Sequence, residues 1–557
     1  MNEMMKRFLT LFVMSLAVTM LNVGCEKDII NIVDPSGSSD SGDDNIDNTD
    51  FGLAVQVVFS TNGSATVSGT NDDFAVNVSG NDVTVVYSGD TTVMYTLSGT
   101  TTDGFFKLYS SRKQGITLND VCITNKNGAA INVQGTQSEP GKGKRTFVVL
   151  NGSSTLADGS SYTDTPTTED EKGTFFSEGQ LIFSGDGSLT VTSTGKNGIV
   201  SDDYLHFFPG PTISVTSTSG HGLRANDYIL VEGGILDVNV SANMKKGLST
   251  DGYVQITGGT TTVKVTGSAA YDSEDKEYTG TAGVKADNYF RIDGGTLTVT
   301  NSGTGGKGIS SDGAGYFNGG TVNVTTTGSN YTSGDISSKG IKFDGNLVFA
   351  GSNVTVNCSA HEGIESKGTI TITDGSIYSY SAKDDAINSA SDFTISGGQV
   401  CGHSAGNDGL DANGNFYIQG GLVYAIGKSS PEVAIDANTE GGYKLYVQGG
   451  TIIAIGGLEN NSSLTQSCYS TNSWSKNTWY SMTVGSTTYA FKTPSSGGTQ
   501  LVVSGASQPT LKSGVTVSGG TTIFNGTLTL DGTVSGGSSV SLSSYTGGGG
   551  GHGPGGW

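Results

Sequence analysis

The chain has 557 residues, with 87 Gly, only 9 Pro, and 29 Lys plus Arg against 51 Asp plus Glu, a formal net charge of −22. A field of that sign excludes general affinity for nucleic acid, so an anionic partner would need a local basic strip or bound cations. Thr, Ser and Val fill the runs between glycines and no useful 3.6-residue period follows residue 25, which excludes a helical protein and predicts an all-β, turn-rich fold.

At the N-terminus Lys6 and Arg7 precede an apolar run, residues 8–23, that ends at Gly24-Cys25. This is a processing signal rather than part of the fold. A small residue before Cys resembles a bacterial lipoprotein site, with Cys25 the lipidated residue, although Asn22 stands where Leu is usual. The following Glu26-Lys27-Asp28 resembles the surface-export signal of outer-membrane lipoproteins. The expected product is a monomer held at the outer membrane, exposed at the cell surface and touching the membrane through its lipid only. An ordinary signal peptide with an incidental Cys is the alternative. Residues 26–50 are acidic and Ser/Gly-rich, as a flexible tether would be, and 51–114 alternate as a β cap would.

Within a repeat region of 115–456, whose stretches 115–133 and 172–189 read as irregular early rungs, the chain from Gly198 onward repeats one phrase: Gly, an aliphatic, two variable residues, Asp or Asn, five residues, then Gly-Gly and a β-rich run. The aliphatic is Ile199, Leu223, Leu248, Val284, Ile309, Ile341, Ile364, Ile387, Leu410 and Ile435, mostly 23 to 25 residues apart. Such a period predicts a solenoid, and three short strands per repeat suit a parallel β-helix. Residues at one offset then stack in columns. The column three residues after the aliphatic holds Asp202, Asn226, Asp251, Asp287, Asp312 and Asp344, and its default role is bonding to backbone amides at a turn. Residues 267–281 and 326–339 are insertions at one corner, expected to build a groove wall. Residues 457–546 predict a further β region and 547–557 a Gly-rich tail. Cys122, Cys358, Cys401 and Cys468 sit at different offsets and spell no zinc site; buried free thiols are expected.

Three columns carry candidate chemistry. Tyr204, Tyr228, Tyr253 and Tyr289 alternate with core residues and so point outward, offering a ribbon suited to sugar rings or else a ladder that stabilises the sheet. Arg291 is one of their outward companions. Lys307, Lys339 and Lys342 belong to a basic strip around the aliphatic column, together with His221, Arg224, Lys246 and Lys285. Further on the same offsets become acidic: Glu362, Glu365, Asp385, Asp408, Asp411 and Asp436. Stacked carboxylates repel unless a cation bridges them, and calcium takes oxygen ligands at about 2.3–2.6 Å. A solvated acidic face or Lys–carboxylate pairing remains open.

The phrase Gly222-Leu223-Arg224-Ala225-Asn226-Asp227-Tyr228 followed by Glu232-Gly233-Gly234 resembles a family of extracellular carbohydrate-binding proteins. The resemblance covers about 115 to 455. It implies a pectate-lyase-like right-handed parallel β-helix, binding of cellulose-like or polygalacturonate-like polysaccharide, and bound calcium. It transfers no catalytic residue. The expected function is non-catalytic polysaccharide binding. Two alternatives are a calcium-dependent polysaccharide lyase, with Lys339, Lys342 or Lys383 as base, and a β-helical adhesin.

Overall fold

The computed structural model describes residues 44–135, 145–163 and 169–547. Cys25, the signal segment, most of the tether and nearly all of the Gly-rich tail lie outside the described residues. The chain forms two compact units, Met1–Thr49 and Asp50–Trp557. The described part of the first is a 3₁₀ turn at Ile46–Asn48, capped by the Asn45 side chain accepting from the Asp47 N–H.

The second unit is all-β. Its strands sort into sheets of 31 and 14 strands, a six-stranded antiparallel sheet and a two-stranded hairpin. One repeat shows why. Its strands Lys246–Thr250, Tyr253–Ile256 and Thr260–Val265 pair in parallel with Thr281–Ala286, Tyr289–Ile292 and Thr296–Asn301 of the next. Leu248 pairs with Val284, then Ile309, Ile341, Ile364, Ile387 and Leu410, so the aliphatic column survives both insertions without a slip. Every member is fully buried. Each contributes about 1.5–3 kcal/mol by leaving water, and a one-residue slip would turn the set outward.

The Gly before most of the aliphatics has a packing cause. A Cβ at Gly247 would lie 2.1 Å from Val263 Cγ1 and 2.6 Å from the Gly283 carbonyl oxygen. Along the register the opposing Val becomes Ser379 and then Gly402, and in the Gly402 repeat Ala386 replaces the Gly. Volume lost on one strand is taken up on the other.

Parallel pairing begins earlier than the repeat phrase. Leu53–Phe59 pairs in parallel with Val93–Thr101, and that strand with Gln114–Asn119, so 51–114 already carries the repeat pattern. Only Thr66–Ser68 and the Phe74–Ser79/Asp82–Tyr87 pair add antiparallel edges there. At the other end Leu501–Ser504 crosses antiparallel to Thr451–Ile455 and Cys468–Thr471. The six-stranded sheet packs Tyr480, Met482 and Phe491 in one cluster with Tyr378, Tyr424 and Ile453 of the late repeats. Among the described residues Cys122, Cys358, Cys401 and Cys468 are free, and all but Cys122 are buried.

Candidate carbohydrate and cation faces

The tyrosine column forms as expected, on the 31-stranded sheet. Tyr204, Tyr228, Tyr253 and Tyr289 are direct register partners. Their rings stack at 4.3, 4.8 and 4.7 Å with interplanar angles of 9°, 10° and 4°. At that spacing the ring faces cover one another. Arg145 donates to the Tyr204 hydroxyl at 3.1 Å, and Tyr316 meets Tyr289 edge-on at 6.3 Å. Arg291 is held by Asp293, which also accepts from Gln255 and Asn318. A second stack, Tyr417 on Tyr446 at 5.0 Å and 9°, occupies the neighbouring outward column. Its members sit in degenerate Phe-Tyr-Ile and Leu-Tyr-Val strands, where the tyrosine offset differs by two.

The eight expected sugar-binding residues do not share one surface. Lys307 and Lys342 lie on the 14-stranded sheet, with Lys339 just ahead of the Ile341–Phe343 strand, away from the tyrosine strands. On that sheet two outward columns flank the buried aliphatic. One runs Arg224, Ser249, Lys285, Ser310, Lys342, Glu365, Asn388 and Asp411, continuing to Asp436 and Glu459. The other, two residues before the aliphatic, holds Lys246, Ala282, Lys307, Lys339, Glu362, Asp385 and Asp408. From Lys246 to Ser310 large and small residues alternate between them, so Lys246 stands beside Ser249 and Lys307 beside Ser310.

The Asp column at the adjoining corner does not serve the backbone in the early repeats, contrary to the expectation. The hydroxyl one residue earlier does: Ser201, Thr250 and Ser311 accept from the N–H two residues on, at 3.0–3.1 Å. A short hydroxyl reaches that amide without strain, which frees the carboxylates to meet cations. Asp251 binds Arg224 at 2.6 Å, Asp287 and Asp312 bind Lys285 at 3.1 and 2.5 Å, and Asp344 binds Lys342.

Lys246 and Lys307 lack such partners. Lys246 Nζ donates to the Met244 carbonyl at 2.9 Å, and Lys307 makes no ion pair among the described residues. Burial pushes Lys246 down to about 8, aided by the charges of Lys245 and Lys285. Burial likewise takes Lys307 to about 8, aided by Lys342 and Lys339.

Where the signs change, they cancel. Lys339 binds Glu362 at 3.1 Å and Glu365 at 2.5 Å, and Lys367 takes the other Glu365 oxygen at 2.5 Å. Burial opposes the Lys339 charge, but the two glutamates outweigh it and raise its pKa. His361 bridges Glu362 and Asp384, the latter at 2.9 Å; despite burial these partners lift it to about 9.

Beyond that junction no cation pairs with Asp385, Asp408, Asp411 or Asp436 among the described residues. Asp385, Asp408, Asp411 and Asp436 all have raised pKa values, each first through desolvation. Asp408 reaches about 8 although the Val433 N–H donates to it. Asp385 rises further against Asp411 and Asp408, and Asp436 through its hydrogen bond with Glu459. Glu459, buried, lies past the last clear repeat, where the phrase had faded. The structure thus separates the six expected metal ligands into Glu362 and Glu365, already neutralised by cations, and four aspartates that are not.

A family model described as "Carbohydrate-binding domain-containing protein" matches residues 79–282 and 239–386, together more than half of the chain. The chain belongs to this carbohydrate-binding family. Polysaccharide is therefore a partner of its kind of domain. Among solved structures it is similar to one titled a polysaccharide lyase-like protein from C. thermocellum, gadolinium derivative. That similarity has 23% identity and a TM-score of 0.38 and covers 49% of this chain and 96% of the other. No curated protein matches the chain. Among the described residues no helix is long and apolar enough to cross a membrane.

Proposed function

We propose that the chain is a non-catalytic, surface-anchored lipoprotein that binds polysaccharide of the polygalacturonate or cellulose-like class along a right-handed parallel β-helix, with calcium as cofactor. The observation that carries the reading is the family match over 79–386, which spans the tyrosine ladder and the basic face. In-register parallel pairing of every repeat supports the coil. Calcium would be held by Asp385, Asp408, Asp411 and Asp436, an all-oxygen set whose desolvated like charges suit a hard cation. Bound there, it would supply positive charge for acidic sugar groups.

The test is affinity electrophoresis of residues 26–557 through gels containing polygalacturonate or a neutral glucan, with calcium and with chelator. Retardation by polygalacturonate that chelator abolishes is the expected result. Free migration in every gel would overturn the reading.

One observation keeps a lyase in view. Lys339 and Lys342 are ion-paired and unsuited as bases, but Lys307 at about 8 could accept a proton near neutral pH. Unsaturated product from polygalacturonate, lost in Lys307→Gln, would favour that reading over simple binding.

A further inference from the structure

Resting on the polysaccharide-binding reading, we infer that Lys246 and Lys307, with the tyrosines of the two insertions, form a dedicated subsite for an acidic sugar segment, separate from the tyrosine ladder. The anionic group it takes is a carboxylate or sulfate on the sugar.

The floor of the subsite is an arrangement of charge without an internal answer. Every cation of the neighbouring column, Arg224, Lys285 and Lys342, is matched to a carboxylate. Lys246 and Lys307 are not, although both are half-buried among like charges. Only Glu365, out of contact, offers Lys307 opposite charge; keeping two desolvated ammonium groups without a direct ion pair is costly, and a ligand anion removes that cost. The pair is two repeats apart with Ala282 between, so its spacing along the sheet is about 9.6 Å, two strand separations. That separation suits two anionic groups on one polymer rather than one small ion.

The wall comes from the insertions. The hairpin of Ala270–Asp272 and Glu277–Thr279 and the Thr332–Gly334 turn pack on one another through Tyr271, Tyr278 and Tyr331. Tyr271 and Tyr278 are 51% and 42% exposed, and the rings meet at 67° and 50° rather than flat. Unlike the ladder rings, these are not stacked face to face, and their exposed area is what a sugar could pack on. It also stands at the start of the basic strand. A Cβ at Gly305, two residues before Lys307, would lie 3.0 Å from Tyr331 Cβ, and the Gly305 N–H donates to the Ser329 carbonyl at 2.8 Å. Aromatic wall and cationic floor thus share one corner.

The test compares the full mature chain, Lys246→Gln/Lys307→Gln, Tyr278→Ala, and a charge-matched control, Lys264→Gln/Lys512→Gln, whose lysines are exposed elsewhere. Each is measured against polygalacturonate, dextran sulfate and a neutral glucan. The paired lysine variant is expected to lose at least tenfold in affinity for the acidic polymers, and Tyr278→Ala severalfold, with the control unchanged. The polymer should also shield Lys246 and Lys307 from reductive methylation in the unmutated chain, a reading independent of variant folding. Preference for polygalacturonate over dextran sulfate, or the reverse, assigns the anionic group. Equal loss in the control means a general field and overturns the subsite. Unaltered affinity with unprotected lysines overturns it as well. Binding of neutral glucan alone by the unmutated chain overturns this inference while sparing the proposed function; binding of nothing overturns both.

Discussion

From Arg224 to Lys342 the outer face of the 14-stranded sheet carries cations, and from Glu365 to Glu459 the same column carries carboxylates. Backbone, register and spacing are shared; the handling of charge is not. The basic repeats disperse their charge by alternating it between two columns and by pairing one column with the corner aspartates. The acidic repeats gather theirs, with no cation near Asp408 or Asp436 among the described residues. Only the junction at Lys339 neutralises one half with the other. A repeating scaffold therefore sets where charges stand, while the residue chosen at each step sets whether they are satisfied or left for a ligand.

The largest effect should come from breaking the junction. Lys339→Ala leaves Glu362 and Glu365 buried against reduced compensation, and chemical denaturation should show a loss of about 3–5 kcal/mol. A change below about 1 kcal/mol would mean that Lys367 and His361 suffice and that the halves are not coupled.

The pH dependence should differ in sign between the halves. The four aspartates have folded pKa values above their ordinary 3.8, so their contribution is fully present below about pH 4 and is lost as pH rises, through about 8 for Asp408. In chelator, stability should fall by roughly 2–4 kcal/mol between pH 5 and pH 8, and calcium should flatten the curve. Asp436→Asn should be more stable than the unmutated chain in chelator at pH 8. Lys246 and Lys307 have folded values near 8, below the ordinary 10.5, so the unfolded chain binds more protons and their contribution grows as pH rises from 8 toward 10.5. Lys246→Gln/Lys307→Gln should remove that rise, of about 1–3 kcal/mol, in thermal scans.

Tyr253→Ala breaks two ring stacks and should cost about 1–3 kcal/mol in stability. If the ladder is structural, affinity for polysaccharide should stay within twofold. The smallest effect is expected at Arg224→Ala, which removes a bridge to a half-exposed Asp251 and should cost no more than about 1 kcal/mol.

The repeat phrase by itself determined the strand positions, the buried aliphatic column and the outward tyrosines, because parallel stacking at a constant period makes offset equivalent to position. It also located the change from basic to acidic residues. What lay beyond it depended on side-chain reach between repeats. Only the tertiary structure decided that the tyrosine faces cover one another and that serine and threonine hydroxyls, not aspartates, hold the early turns. It alone separated Glu362 and Glu365, claimed by Lys339, from the four aspartates that no cation meets among the described residues. It also brought Tyr271, Tyr278 and Tyr331 together from insertions more than 50 residues apart in sequence and set Tyr331 against Gly305, two residues before Lys307. Periodicity fixes which backbone atoms are neighbours; the partner a long charged or aromatic side chain finds depends on packing across repeats, which no spacing in one chain encodes.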